Sequence, residues 1–168
     1  DIAAGRQHTC AVLDDGTAWC LGENGGSGPL GIGAAGGQYP DPQQVAGPGG
    51  AGFLTGAVDI TAGEYHTCAA LDTGAVYCWG SDDQKQLGTN GGGDSPNPVQ
   101  VIDVGGSGTL SGIARVGAGR DHSCAIGTGG SLYCWGANTN GQLGDGTTTR
   151  RDTPEVVGLS AVLEVNGG

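Results

Sequence analysis

Six cysteines and three histidines hold the most versatile chemistry in this chain, and they recur in one arrangement. The stretches HTCAVLDDGTAWC (residues 8–20), HTCAALDTGAVYC (66–78) and HSCAIGTGGSLYC (122–134) each place a histidine two residues before a cysteine and a second cysteine ten further on. Thiols so arranged can hold zinc or close a disulfide. Structural zinc sites use Cys-x(2–4)-Cys knuckles, whereas nine residues intervene here, three times over, so disulfides are expected and a metal is not. His8, His66 and His122 raise the idea of a shared three-histidine site. Equivalent atoms in stacked sheets lie about 10 Å apart, and zinc–nitrogen bonds span about 2 Å. These histidines are therefore read as structural groups at strand starts.

The elements that must position the cysteines are short strands. TCAVL and TAWCL are bounded by turn residues, and no 3.6-residue apolar period competes. Asp14, Asp15 and Gly16 suit a three-residue hairpin loop with glycine in the left-handed position. That loop pairs Leu13 with Thr17, and stepping outward sets Cys10 opposite Cys20. Loops centred on Thr73 and Gly129 likewise set Cys68 opposite Cys78 and Cys124 opposite Cys134. A two-residue loop would miss the register by one and turn the sulfurs to opposite faces. Each closed loop of about ten residues contributes on the order of 2.5 kcal/mol in the chain-entropy account. Disulfides in turn point to an oxidising, extracellular or cell-surface location.

With 38 Gly and 7 Pro, the composition would read as disordered if no period ordered it. A period exists. The histidines fall 58 and 56 residues apart, DIAAG, DITAG and RVGAG precede them, and Leu-Gly recurs at Leu30, Leu87 and Leu143. The repeats read as 1–58, 59–114 and 115–163, with 164–168 (EVNGG) in the phase of a further unit. Ala11, Leu13 and Trp19 make one hairpin face apolar, and Cys10, Val12 and Cys20 the other. A sheet buried on both faces stacks between neighbours, as propeller blades do. Three blades cannot close a ring, so both outer sheet faces are expected to be exposed. Further repeats, or copies of the chain joined head to tail, would cover them.

The net charge of −11, with six Lys and Arg against 17 Asp and Glu, leaves no basic patch for nucleic acid. No apolar run approaches a membrane span of roughly 18 residues, so membrane insertion is not expected. No cofactor is expected either. GIGAAG (31–36) matches a dinucleotide fingerprint in letters only, because Gly31 aligns with Gly88 and Gly144 and no helical pattern follows. Ser27 and Ser107 miss the nucleophile-elbow pattern at Pro29 and Thr109. Asp14 and Asp15 are turn chemistry. Asp82, Asp83 and Asp94 could offer oxygens to calcium, but no calcium-loop spacing is met and they read as a solvated loop. No catalytic constellation emerges, and the chain reads as a non-enzyme.

The segments AGEYHTCAALDTGAVYCWGSDDQKQLG and AGRDHSCAIGTGGSLYCWGANTNGQLGDGTTTRRDTPEVV resemble the repeat of the regulator of chromosome condensation family. The resemblance runs the length of the chain. It implies an all-β fold of four-stranded propeller blades, usually about seven to a ring, and protein binding through loops at one propeller face. The first unit departs from it. Trp19 stands where Tyr77 and Tyr133 stand, Leu21 replaces the tryptophan of Trp79 and Trp135, and its loop is long. The paired cysteines, absent from nuclear members, point to a secreted bacterial branch.

The frame is fixed, but the two residues before each histidine vary: Arg6 and Gln7, Glu64 and Tyr65, Arg120 and Asp121. A repeat that varies one turn on a constant frame is presenting a surface. These six residues are the candidate partner-binding set. The expected function is a non-catalytic extracellular binding or scaffold module; the other readings are a filament subunit and a secreted enzyme inhibitor.

Overall fold

The computed structural model describes residues 1–166; of the segment 164–168, Gly167 and Gly168 lie outside the described residues. The described residues form twelve strands in three four-stranded antiparallel sheets, the blades of a β-propeller. Blade 1 comprises β1 (Ile2–Ala4), β2 (His8–Val12), β3 (Ala18–Glu23) and β4 (Gln38–Gln44). Blade 2 comprises β5 (Ala57–Ala62), β6 (His66–Leu71), β7 (Val76–Gly80) and β8 (Ser95–Gln100). Blade 3 comprises β9 (Ile113–Ala118), β10 (His122–Gly127), β11 (Leu132–Gly136) and β12 (Arg151–Val157). Every sheet follows chain order, as short connections between antiparallel neighbours dictate.

The central hairpins fix the register. Leu13 N–H donates to Thr17 O at 2.9 Å, and the matching bonds join Leu71 to Ala75 and Gly127 to Ser131 at 2.9 Å. Gly16, Gly74 and Gly130 close these loops at φ of 77°, 80° and 79°, a region only glycine enters freely. Cys10 then faces Cys20, Cys68 faces Cys78 and Cys124 faces Cys134. Each pair is a disulfide with its Cα atoms 4.1 Å apart.

The core lies between blades. The cysteine face of blade 1, with Val12, Leu30 and Val45, packs on Ile60, Ala69 and Trp79 of blade 2. The cysteine face of blade 2, with Val76, Leu87 and Val101, packs on Val116, Ala125 and Trp135 of blade 3. Small Ala69 and Ala125 let large Trp79 and Trp135 fill the gap, so a chain of few aromatics still buries continuous apolar surface.

The outer faces differ from each other. On blade 1, Ile2 is 72 % exposed although the matching Ile60 and Val116 are buried. Blade 3 corrects the expectation of two bare faces: Val162 and Val165 pack on its cysteine face beside Ile126 and Leu143. Val162 N–H donates to Gly130 O at 3.0 Å, the same bond that seats Ala57 on Gly16 and Ile113 on Gly74. The segment after β12 therefore occupies the place of a following inner strand.

Candidate functional site

Each variable pair sits in the turn between the first and second strands of its blade. A backbone bond closes each turn: Gly5 N–H donates to His8 O at 2.9 Å, and Gly63 and Gly119 do the same to His66 and His122 at 2.9 and 3.0 Å. A Cβ on Gly63 would lie 2.6 Å from Gly119 O and collide with the His66 ring. Only glycine therefore lets the histidine fold back under its own turn while the next blade approaches.

His8 and His66 act between blades. His8 Nε2 lies 2.9 Å from Thr67 Oγ1 and His66 Nε2 lies 2.9 Å from Ser123 Oγ. Thr67 Oγ1 donates onward to Pro29 O at 2.9 Å, and Ser123 Oγ to Gln86 O at 2.8 Å. Since each hydroxyl spends its proton on a carbonyl, each histidine must donate from Nε2. The same carbonyls also accept the indole N–H of Trp79 (2.9 Å) and Trp135 (2.8 Å). A carboxylate completes each junction, with Asp1 accepting from Ile60 N–H at 3.1 Å and Asp59 from Val116 N–H at 2.7 Å. Burial pushes His8 down to about 4. Burial, aided by the nearby His8 and His122, pushes His66 down to about 3. Both are neutral near pH 7. Sequence reasoning missed Thr67, Ser123, Pro29 and Gln86, although a hydroxyl follows every histidine; their partners lie one blade away.

Above this locked layer the three turns converge. Arg6 Nη1 donates to Glu64 Oε1 and to the Tyr65 hydroxyl, and Arg120 Nε donates to Glu64 Oε2. Glu64 is thus held between two guanidiniums from the blades on either side, and its side chain is only 11 % exposed against 55 % for Arg6 and 74 % for Arg120. The Arg6 guanidinium lies 5.4 Å from the centre of the Tyr65 ring, a cation–π distance. Desolvation acts to raise the Glu64 carboxyl, but the bonds from Arg120 and Arg6 prevail and hold it below the usual carboxylate range. Asp121 approaches Arg120 at 3.4 Å; its carboxyl is nevertheless raised, because desolvation outweighs the guanidinium. Gln7 supplies backbone, its carbonyl accepting from Glu23 N–H at 2.8 Å. Arg6, Glu64 and Arg120 rim a depression of about 570 Å³ floored by Ala4, Gly5, Ala62, Gly63, Ala118 and Gly119.

The remaining sequence candidates are structural. Gly31, Gly88 and Gly144 share φ of 69°, 66° and 69°, and a Cβ at Gly31 would lie 2.6 Å from Trp79 Nε1. The GIGAAG match is thus a propeller loop that makes room for an indole. Asp82 corrects the solvated-loop reading: its side chain is buried, and Oδ1 accepts from Leu87 N–H at 3.0 Å. Its position matches Asn24 and Asn138, whose Oδ1 atoms accept from Leu30 and Leu143 at 3.1 and 3.0 Å. Lys85 bridges Asp82 Oδ2 (3.4 Å) and Gly92 O (2.8 Å), supplying the donors an asparagine amide would provide.

Comparison with known proteins agrees with this architecture. The family model described as the regulator of chromosome condensation (RCC1) repeat matches residues 1–28, 57–86 and 113–142, and a second RCC1 repeat model matches 73–126 and 129–168. The human E3 ubiquitin-protein ligase HERC2 is 32 % identical over 168 residues, 99 % of this chain and 3 % of that protein. The Arabidopsis thaliana ultraviolet-B receptor UVR8 is 32 % identical over 157 residues, 93 % of this chain and 33 % of the receptor. The chain thus spans a third or less of these curated relatives. Among solved structures, Prp20p from Saccharomyces cerevisiae superposes with a TM-score of 0.77 at 23 % identity, covering 100 % of this chain and 41 % of that one. Human WBSCR16 gives 0.77 at 20 % identity, covering 94 % and 37 %. Three matched repeats, three four-stranded blades and the family models together place this chain in the regulator of chromosome condensation repeat family.

Proposed function

We propose that this chain is a non-catalytic protein-binding module whose contact surface is the face formed by the β1–β2, β5–β6 and β9–β10 turns. Arg6, Gln7, Glu64, Tyr65, Arg120 and Asp121 make the contact. One observation carries the reading: variable residues from three separate repeats meet in a single clasped patch around one depression. A rigid frame with variable, partly exposed Arg and Tyr at its rim is the composition of a protein interface. His8 and His66, which might serve as bases, are instead committed to inter-blade bonds and held neutral by burial. The three disulfides support work in an oxidising compartment, extracellular or at a cell surface.

The test is affinity capture from the native source with the wild-type chain and with Arg6→Ala/Tyr65→Ala/Arg120→Ala. The triple variant should lose the specific partner while keeping its fold, because these side chains lie above the inter-blade core; any fall in thermal stability reflects Glu64 left without its two guanidiniums. Capture of the same partner at equal yield would remove the turns from the interface.

A further inference from the structure

The clasp at the centre of this face also carries information about what it recognises. Arg6 and Arg120 are two of only six Lys and Arg in a chain of net charge −11, and the fold brings both to one rim from blades 1 and 3. Between them sits a carboxylate. Glu64 receives a guanidinium N–H on each oxygen, Oε1 from Arg6 and Oε2 from Arg120. This is the two-sided, planar recognition for which guanidinium groups are suited. Arg6 uses Nη1 on Glu64 and Tyr65, and Arg120 uses Nε on Glu64 with Asp121 nearby. The other N–H groups of both guanidiniums belong to side chains that are more than half exposed. The floor below is only glycine and alanine, leaving room for a side chain to enter.

We propose that the Arg6–Arg120 pair is a carboxylate-recognition site for an Asp or Glu side chain of a protein partner, and that Glu64 is its built-in occupant. The proposal rests on the protein-binding reading above and specifies the partner chemistry. A partner's acidic side chain enters the depression, takes the guanidinium edges that Glu64 holds, and Glu64 rotates out toward solvent. Glu64 thereby screens the two cations from unselective anions and from each other while no partner is bound. Arg6, steadied over the Tyr65 ring, keeps its plane during the exchange, which reduces the ordering cost of binding.

The experiment needs no partner. The full chain, labelled with ¹⁵N, is titrated with the peptide acetyl-Gly-Glu-Gly-amide and with its Gln counterpart, following the side-chain Nε–H resonances of Arg6 and Arg120. In Glu64→Ala, the Glu peptide should give saturable shifts at both arginines, with an affinity at least ten-fold above wild type. The Gln peptide should give none, and adding Arg120→Ala should weaken the Glu peptide at least five-fold. The indole N–H resonances of Trp79 and Trp135 report that the fold is retained; if Glu64→Ala disturbs them, Glu64→Gln takes its place in the same titration. Equal response to both peptides, response to neither, or wild type matching the variant would each overturn the proposal. Such a failure alongside intact loss of capture in the triple-alanine chain would leave the binding face standing and remove only its acidic ligand.

Discussion

Acid should loosen this protein well above the pH at which its carboxylates protonate, through the buried histidines. In the unfolded chain a histidine titrates near 6.5. In the fold, burial holds His8 down to about 4 and His66 to about 3. A depressed histidine binds fewer protons folded than unfolded, so its contribution is intact above about pH 6.5 and is lost as pH falls toward the folded value. Moving from pH 7 to pH 5 costs on the order of 2 kcal/mol for each such histidine, so about 4 kcal/mol for the pair. His122, also lowered by burial and partly raised again by Asp121, adds in the same direction. Asp59, Asp82 and Asp121 are raised, chiefly by desolvation, and oppose the trend as they protonate. Urea unfolding of the oxidised chain at pH 7, 6 and 5 should therefore show a falling free energy. His66→Gln, which keeps a donor for Ser123, should flatten the slope by about one proton. A pH slope that His66→Gln leaves unchanged to within about 0.5 kcal/mol over this range, an ordinary measurement uncertainty for such extrapolations, would refute the buried-neutral assignment.

Three further outcomes follow from the blade junctions. Trp79→Leu, which gives blade 2 the residue that blade 1 carries at Leu21, should cost about 2–4 kcal/mol through lost burial and the lost bond to Pro29 O, measured by urea unfolding. Gly63→Ala should cost more than about 3 kcal/mol or prevent folding, since its Cβ meets Gly119 O and the His66 ring; near-neutral behaviour would show that the turn has room. Replacing Cys68 and Cys78 together by Ala should lower stability by on the order of 2–3 kcal/mol without moving the other two pairs, and peptide mapping without reduction should recover Cys10–Cys20 and Cys124–Cys134 intact.

How much of this is written locally depends on sequence distance. The hairpins are legible because all their determinants lie within thirteen residues: the turn glycines Gly16, Gly74 and Gly130, and the cysteines whose opposition sets the register. The propeller is legible because the unit recurs three times. The inter-blade locks were not, because His8 and Thr67 are 59 residues apart and nothing in either local pattern names the other. Asp82 looks like a surface aspartate among polar neighbours; only the alignment of its loop with those of Asn24 and Asn138 shows that it caps the following leucine from inside. The variable turns were visible as variation, but their convergence was not. Opposite charges at Glu64 and at Arg6 and Arg120 become a clasp only when successive blades set the turns side by side. Leu21 is the converse case, a local departure visible in sequence; it is half-buried and sits on the blade face where Ile2 is bare.

The central claim is that partner contact occurs on the β1–β2, β5–β6 and β9–β10 turn face. Amide hydrogen exchange of the chain, free and saturated with a captured partner, tests it most directly. The account predicts new protection in residues 4–7, 62–65 and 118–121, with little change in the hairpin loops 14–16, 72–74 and 128–130 at the opposite end of the blades. Protection confined to those hairpin loops, with the Arg6, Glu64 and Arg120 turns unchanged, would contradict it.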